Sequence, residues 1–266
     1  MLTAILITAP GINCDLELAH AFQAAGATPT PRLLKELMRR PALLDSADLI
    51  GLPGGFSYGD DVAAGRIMAQ LIRGSIYPAL AAALERGVPM LCPCNGFQIA
   101  VQAGLLPAPA AHGAEAPAPV VALCQNATAR FHDEWSGVEV PQGTRCVWTR
   151  GLEVRPGADR LPSAHGEGRL VAAEHLLDAL ESAGQVALRY ADGENFNGSM
   201  RRIAGLCDPT GLVFGLMPHP ERFTRWTQHP WWTRLDASAM RVPPLGLRIF
   251  QNAVQHALRR RETVHS

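Results

Sequence analysis

No excess of charge of either sign exists in these 266 residues: Lys and Arg total 24, Asp and Glu total 24, and the pI is about 7.1. Without a long-range field, neither nucleic acid nor a membrane surface is indicated as a partner, and a small substrate is. No apolar run reaches the roughly 18 residues of a membrane span. The opening Met1-Leu2-Thr3-Ala4-Ile5-Leu6-Ile7 lacks a basic leader and a cleavage pattern, so it reads as a first buried strand. Cysteine is sparse: Cys14, Cys92, Cys94, Cys124, Cys146 and Cys207 lie without the tight spacing of a disulfide scaffold. They are expected to be reduced thiols, and the chain cytoplasmic. What is present is 47% hydrophobic and 18% charged residues, enough for one large α/β domain with a buried core.

Along the chain, short apolar runs alternate with helical spacing. Ala4 to Thr8 reads as a strand, Pro10 to Asp15 as a turn, and Leu16 to Ala25 as a helix stopped by Gly26. Asp48 to Pro53 is a second buried strand closed by Pro53-Gly54-Gly55, Tyr77 to Glu85 a helix, and Val88 to Leu91 a third strand. Strands alternating with helices imply a mostly parallel sheet whose active site lies beyond the carboxyl ends of its strands. Residues 108–119, rich in Ala and Pro, resist both helix and strand and predict a surface loop. Val120 to Leu123, Gly137 to Val140, Arg145 to Trp148, Val186 to Tyr190 and Leu212 to Gly215 predict strands that add an antiparallel edge. Leu245 to Leu258 predicts a terminal helix, which closes a single domain over 1–258; 259–266 reads as a frayed polar tail.

Chemistry concentrates in Met90-Leu91-Cys92-Pro93-Cys94-Asn95-Gly96-Phe97-Gln98, an apolar strand that turns sharply into a helix. A strand-turn-helix elbow projects one side chain from a strained backbone and needs small neighbours, which Cys92 and Gly96 provide. Cys94 at its tip is the candidate nucleophile, and the positive end of the following helix favours a thiolate there. Downstream, Met217-Pro218-His219-Pro220-Glu221-Arg222 offers a base, His219, and an orienting acid, Glu221, two residues apart and so on one side of an extended chain. Oxyanion donors are expected from the backbone amides of Asn95 and of Gly55, although a Gly-Gly pair after a strand is as often only a tight turn. Cys92 and Cys94 also fit a metal or redox pair, but no second Cys/His pair at zinc-site spacing accompanies them, and no metal is expected. Phe223 to Trp226, with Trp231 and Trp232, fits a partner surface, a lid or core packing equally well.

These stretches, together with Gly11-Ile12-Asn13-Cys14-Asp15, Pro53-Gly54-Gly55-Phe56-Ser57-Tyr58-Gly59-Asp60, Ala164-His165-Gly166-Glu167-Gly168-Arg169 and Asn197-Gly198-Ser199, resemble a known family over nearly the whole chain. It is the class I glutamine amidotransferases, and within them the glutaminase subunits of phosphoribosylformylglycinamidine synthase in purine biosynthesis. The elbow and the His-Pro-Glu are common to the class; the Phe-Ser-Tyr-Gly-Asp and His-Gly-Glu-Gly-Arg stretches resemble this member. The resemblance implies a flavodoxin-like, mostly parallel sheet flanked by helices, and a Cys94-His219-Glu221 enzyme that splits glutamine through a γ-glutamyl thioester. It implies Gln98 as a substrate contact, with Asn126 to Phe131 as a looser candidate. It also implies no cofactor in this chain, and ammonia passed to a large synthetase subunit that uses ATP and Mg, often bridged by a small third subunit. Two departures stand out: Cys92 replaces the family's usual Gly, which would place a Cβ in a strained turn and a second thiol near the first, and the 108–119 insert is longer than usual. Two other readings remain: a non-catalytic scaffold of the same fold, and another thiol hydrolase of this superfold, which would lack the late His-Pro-Glu.

Overall fold

A computed structural model describes every residue except His112, which falls within the 108–119 loop, and Ser266, the last residue of the expected tail. Eleven strands are present among the described residues: β1 Leu2–Thr8, β2 Ala27–Leu33, β3 Leu49–Gly51, β4 Met90–Pro93, β5 Val121–Gln125, β6 His132–Glu139, β7 Arg160–His165, β8 Glu167–Ala172, β9 Val186–Tyr190, β10 Ile203–Cys207 and β11 Val213–Leu216. The helices are α1 Asp15–Ala24, α2 Leu34–Arg39, α3 Arg66–Arg73, α4 Tyr77–Glu85, α5 Asn95–Ala103, α6 Glu174–Ser182 and α7 Leu245–His265.

Nine strands form one sheet in the order β2-β1-β3-β4-β11-β10-β9-β6-β7, and β5 pairs with β8 in a separate ribbon. The first five are parallel; the remaining four extend the sheet antiparallel. This is the mostly parallel sheet with an antiparallel extension read from the chain. The central strands are apolar because helices cover both faces: β4 is buried at all four positions, and Ile5, Leu6, Ile50, Leu91, Val213 and Phe214 are sealed from solvent. Four adjacent strands, β1, β3, β4 and β11, run the same way, so the turns after Thr8, Gly51, Pro93 and Leu216 gather at one edge.

Several boundaries differ from the sequence reading. β2 carries Pro29 and Pro31 and did not read as a strand; it is the outermost strand, where the two missing donors, both on the free side, cost no ladder bond. Arg145 to Trp148 is not a strand. Its backbone donates to the turn carbonyls of Gly184 and Gly211, while Trp148 packs edge-on against Phe22 and Phe250 at 6.4 and 6.3 Å. The apolar pattern there reflects burial without a partner ladder. β7 and β8, missed among Pro, Ser and Gly, form around Gly166. The 108–119 segment forms no helix or strand where described, and Arg73 ties it down by donating to the Ala116 and Pro117 carbonyls at 2.8 and 2.7 Å.

Nor does the chain fray at Arg259, since α7 runs on to His265. Arg261 donates to Asp48 at 2.6 and 2.8 Å and Arg260 to the Arg86 carbonyl at 2.9 Å, so the extra turns are fastened to the start of β3 and the end of α4. No single helix among the described residues is long and apolar enough to cross a membrane; α3 and α4 pass that test only as a pair bent by 76°, and their apolar residues Met68, Ile72, Tyr77 and Leu80 are buried in the core.

Candidate active site

The elbow is present. β4 ends at Pro93, and Cys94 takes φ 51° and ψ −112° as the residue that caps α5. A side chain in that region costs on the order of 1–3 kcal/mol and persists only where its surroundings over-determine it. Here the Cys94 amide donates to Leu216 O at 2.7 Å, and Phe97 and Gln98 donate back to the Cys94 carbonyl at 2.9 and 3.3 Å. Gly96 lets α5 press against the end of β3, because a Cβ there would lie 1.9 Å from Leu52 O. Cys92, in contrast, sits in β4 with ordinary extended backbone, so the strain expected there falls on Cys94 alone. Its thiol is fully buried, is pushed far up by desolvation and does not line the site. That removes it as a metal or redox partner on the cavity side.

His219 follows β11, anchored by its amide to Pro162 O at 2.7 Å. Its Nδ1 meets Glu221 Oε1 at 2.6 Å, both side chains being buried. The contact is made across a 3₁₀ turn, Pro220–Arg222, not along extended chain: the turn curls the carboxylate back under the imidazole. Burial alone would push His219 down; the Glu221 carboxylate and the adjoining Cys94 and Cys14 thiols override it and hold the imidazole well above its ordinary value. Gly54 packs between them, with room for a Cβ only 3.1 Å from His219 Cε1 and 3.3 Å from Cys94 Cβ. Thus Cys94 and the His219–Glu221 pair, over a hundred positions apart in sequence, meet at the edge formed by β3, β4 and β11.

Gly55 lies beside them at φ 135°, bridged to Ile12, and a Cβ would fall 2.7 Å from Asn13 N. Asn95 opens α5, where first-turn amides have no acceptor in their own helix. Its side chain is engaged elsewhere: Oδ1 accepts from Ser57 N at 3.2 Å, and Nδ2 donates to Gln98 Oε1 at 2.9 Å and to Asp60 Oδ1 at 3.3 Å. Gln98 lines the cavity, but its Nε2 donates to Glu167 O at 2.6 Å, so both ends of its amide are already bonded. Within the looser candidate segment, Asn126 is a buried brace, giving both amide hydrogens to Arg130 O and His165 O, and Phe131 lines the mouth.

The cavity holds about 350 Å³. Residues that sequence reasoning gave no role also line it: Cys14, Asp60, Asp133, His165, Glu167 and Arg222. Cys14, Asp60 and Arg222 follow β1, β3 and β11, His165 and Glu167 flank the turn between β7 and β8, and Asp133 lies in β6 opposite Ala164 of β7, so the last three became legible only once β6, β7 and β8 were placed. Burial raises the Asp60 carboxyl, partly offset by bonds from Gly65 and Asn95. Burial, reinforced by the charge of His219, lowers His165 to about 3. Such an arrangement supplies a strained thiol, a charged buried imidazole, amide donors and a small-molecule pocket, the parts of an acyl-transfer centre.

A family model described as a CobB/CobQ-like glutamine amidotransferase domain matches residues 2–257. The PurQ subunit of phosphoribosylformylglycinamidine synthase from Dehalococcoides mccartyi is 36% identical over 262 residues, covering 95% of this chain and 96% of its own. The PurQ subunit from Zymomonas mobilis is 42% identical over 222 residues, covering 82% and 89%. Among solved structures, that of PurLQS from Thermotoga maritima superposes with a TM-score of 0.70 at 32% identity, covering 96% of this chain and 98% of the matched one. A glutamine amidotransferase from the same organism matches at 0.53 and 14% identity, which speaks to fold alone.

Proposed function

Because this chain belongs to the glutamine amidotransferases, and among them to the PurQ subunits of phosphoribosylformylglycinamidine synthase, we propose that it releases ammonia from glutamine at Cys94 for a synthetase that makes formylglycinamidine ribonucleotide. The observation that carries the site assignment is Cys94 in its left-handed elbow beside the buried His219–Glu221 pair at 2.6 Å. Residues 1–258 act as one amidotransferase unit.

With its proton held on His219, Cys94 sulfur attacks the side-chain carbonyl carbon of glutamine. The C=O electron pair moves onto oxygen, where the amides of Gly55 and Asn95 receive it. Collapse breaks the C–N bond, and His219 delivers its proton to the departing nitrogen, giving ammonia and a γ-glutamyl thioester. Water then attacks the thioester, giving its proton to His219, and glutamate leaves as sulfur regains the pair. Glu221, its carboxylate buried against the ring, keeps the imidazole oriented and favours its charged form in both halves. Gln98 holds the β8 edge and the start of α5 in register around the bound glutamine. Ammonia passes to the synthetase subunit, which uses ATP and Mg, within an assembly that includes a small third subunit.

A diazo-ketone analogue of glutamine, followed by peptide mapping, tests this with and without the synthetase. Label on Cys94 is the expected result, and Cys94→Ala is expected to lose glutamine-dependent product while ammonia still supports turnover. No label under either condition, with glutamine-dependent product equally absent, makes the chain a scaffold instead.

A further inference from the structure

Asp60 is a carboxylate in the wall of the catalytic cavity, and the hydrolysis just described gives it no part. It ends the turn Ser57–Asp60 after β3, is partly buried, and lines the cavity with Cys94 and His219. Its Oδ1 accepts from Gly65 N at 3.1 Å and from Asn95 Nδ2 at 3.3 Å. Its Oδ2 accepts no hydrogen bond, and no cation pairs with it, among the described residues. Tyr58, Gly59 and Asp60 all take left-handed backbone, at φ 54°, 73° and 52°, and Ser57 N is fixed on Asn95 Oδ1 at 3.2 Å. The Asn95 side chain therefore grips this turn at both ends and sets the carboxylate relative to the elbow. Burial holds the Asp60 carboxyl above its ordinary value, as it does for an anion kept from water without a positive partner.

Glutamine carries a cation at a matching remove from its carboxamide. Its α-nitrogen lies about 5 Å from the carboxamide carbon in the extended form, and the same number of covalent bonds separates the main-chain nitrogen of Asn95 from its Nδ2. A glutamine laid along the Asn95 side chain, with its carboxamide oxygen at the Asn95 amide, presents its α-ammonium group where Asn95 Nδ2 meets Asp60. We propose that Asp60 Oδ2 receives the α-ammonium group of glutamine, so that the cavity prefers amides that carry an α-amino group over those that lack one. The inference rests on the glutaminase reading above. Asp133 and Glu167 also line the cavity, but both are exposed, where water and salt weaken an ion pair. The contact is charge-assisted and is kept from substrate to glutamate, so it acts on KM more than on kcat.

The test uses this chain in complex with its synthetase and compares glutamine with glutaramate, the same amide without the α-amino group. The unsubstituted protein is expected to favour glutamine roughly 10–100-fold in kcat/KM, chiefly through KM. Asp60→Asn keeps an oxygen for Gly65 N and Asn95 Nδ2, and Asn tolerates left-handed backbone. It is expected to raise KM for glutamine by that same factor, with kcat held within about threefold and glutaramate kinetics nearly unchanged, so that the preference collapses. Asp60→Ser, which removes the charge by another route, is expected to collapse it too. Asp61→Asn, exposed and outside the cavity lining, is expected to leave it intact. An unsubstituted protein that handles both amides equally, or an Asp60→Asn protein that keeps the preference or loses both amides in proportion, overturns the proposal. If neither amide is turned over and the glutamine analogue never labels Cys94, the glutaminase reading falls and takes this inference with it.

Discussion

Replacing Gly96 with Ala sets two effects of opposite sign against each other. Gly96 is the second residue of α5, and by helix propensity alone the change should stabilise the protein by about 1 kcal/mol. Its Cβ, however, would lie 1.9 Å from Leu52 O and 3.0 Å from Leu52 C. Leu52 cannot retreat, because its amide is bonded to Leu91 O at 2.8 Å within the sheet. Restoring an ordinary contact of 3.4 Å therefore needs about 1.5 Å of movement, which α5 must supply. Overpacking of this kind costs about 1–3 kcal/mol and offsets or outweighs the propensity gain, for a net loss of up to about 2 kcal/mol. The larger consequence is functional: Cys94 and the Asn95 amide ride on that helix start, and a misplacement near 1 Å costs roughly 100-fold in rate. Glutaminase kcat in the presence of the synthetase, together with urea unfolding, measures both. A Gly96→Ala protein that keeps kcat within about twofold and gains stability would refute the close approach.

Glu221→Gln removes the charge that holds His219 up, leaving burial to push the imidazole down; kcat is expected to fall roughly 10²–10⁴-fold, with slower alkylation of Cys94 at neutral pH, and unchanged alkylation would sink the coupling. His165 is held neutral down to about pH 3 by burial and by the charge of His219, whereas the unfolded histidine takes up a proton near 6.5. Its stabilising contribution is therefore lost as pH falls below 6.5, by about 2 kcal/mol at pH 5. The difference in unfolding free energy between pH 7 and pH 5 should shrink by about that amount in His165→Gln, and equal differences in the two proteins would contradict it. Asp48→Asn loosens a carboxylate that accepts from Thr3 N at 2.7 Å and from Arg261 at 2.6 Å. Because Arg261 is partly solvated, a loss of only about 1–2 kcal/mol is expected, with faster proteolysis near the end of α7; a wild-type cleavage pattern would argue against the staple.

The chain by itself determined what depends on neighbours in sequence. Apolar runs such as Val88 to Leu91 and Val186 to Tyr190 announce buried strands, and Cys94 followed by Asn95-Gly96 announces an elbow, because local sterics and burial act over a few residues. The parallel sheet with an antiparallel extension was legible for the same reason. What only the tertiary structure decided depends on partners far apart in the chain. β2 is a strand despite two prolines because its free edge tolerates missing donors, and Arg145 to Trp148 is not one because no ladder lies beside it. Glu221 reaches His219 through a 3₁₀ turn that the spacing did not disclose. Gln98, read as a contact for substrate, has its amide engaged by Asn95 and Glu167. Cys14 stands 80 residues before Cys94 in the numbering, and only the adjacency of β1, β3, β4 and β11 brings both into the lining of one cavity with His219. Long-range strand order, not any local preference, places them there.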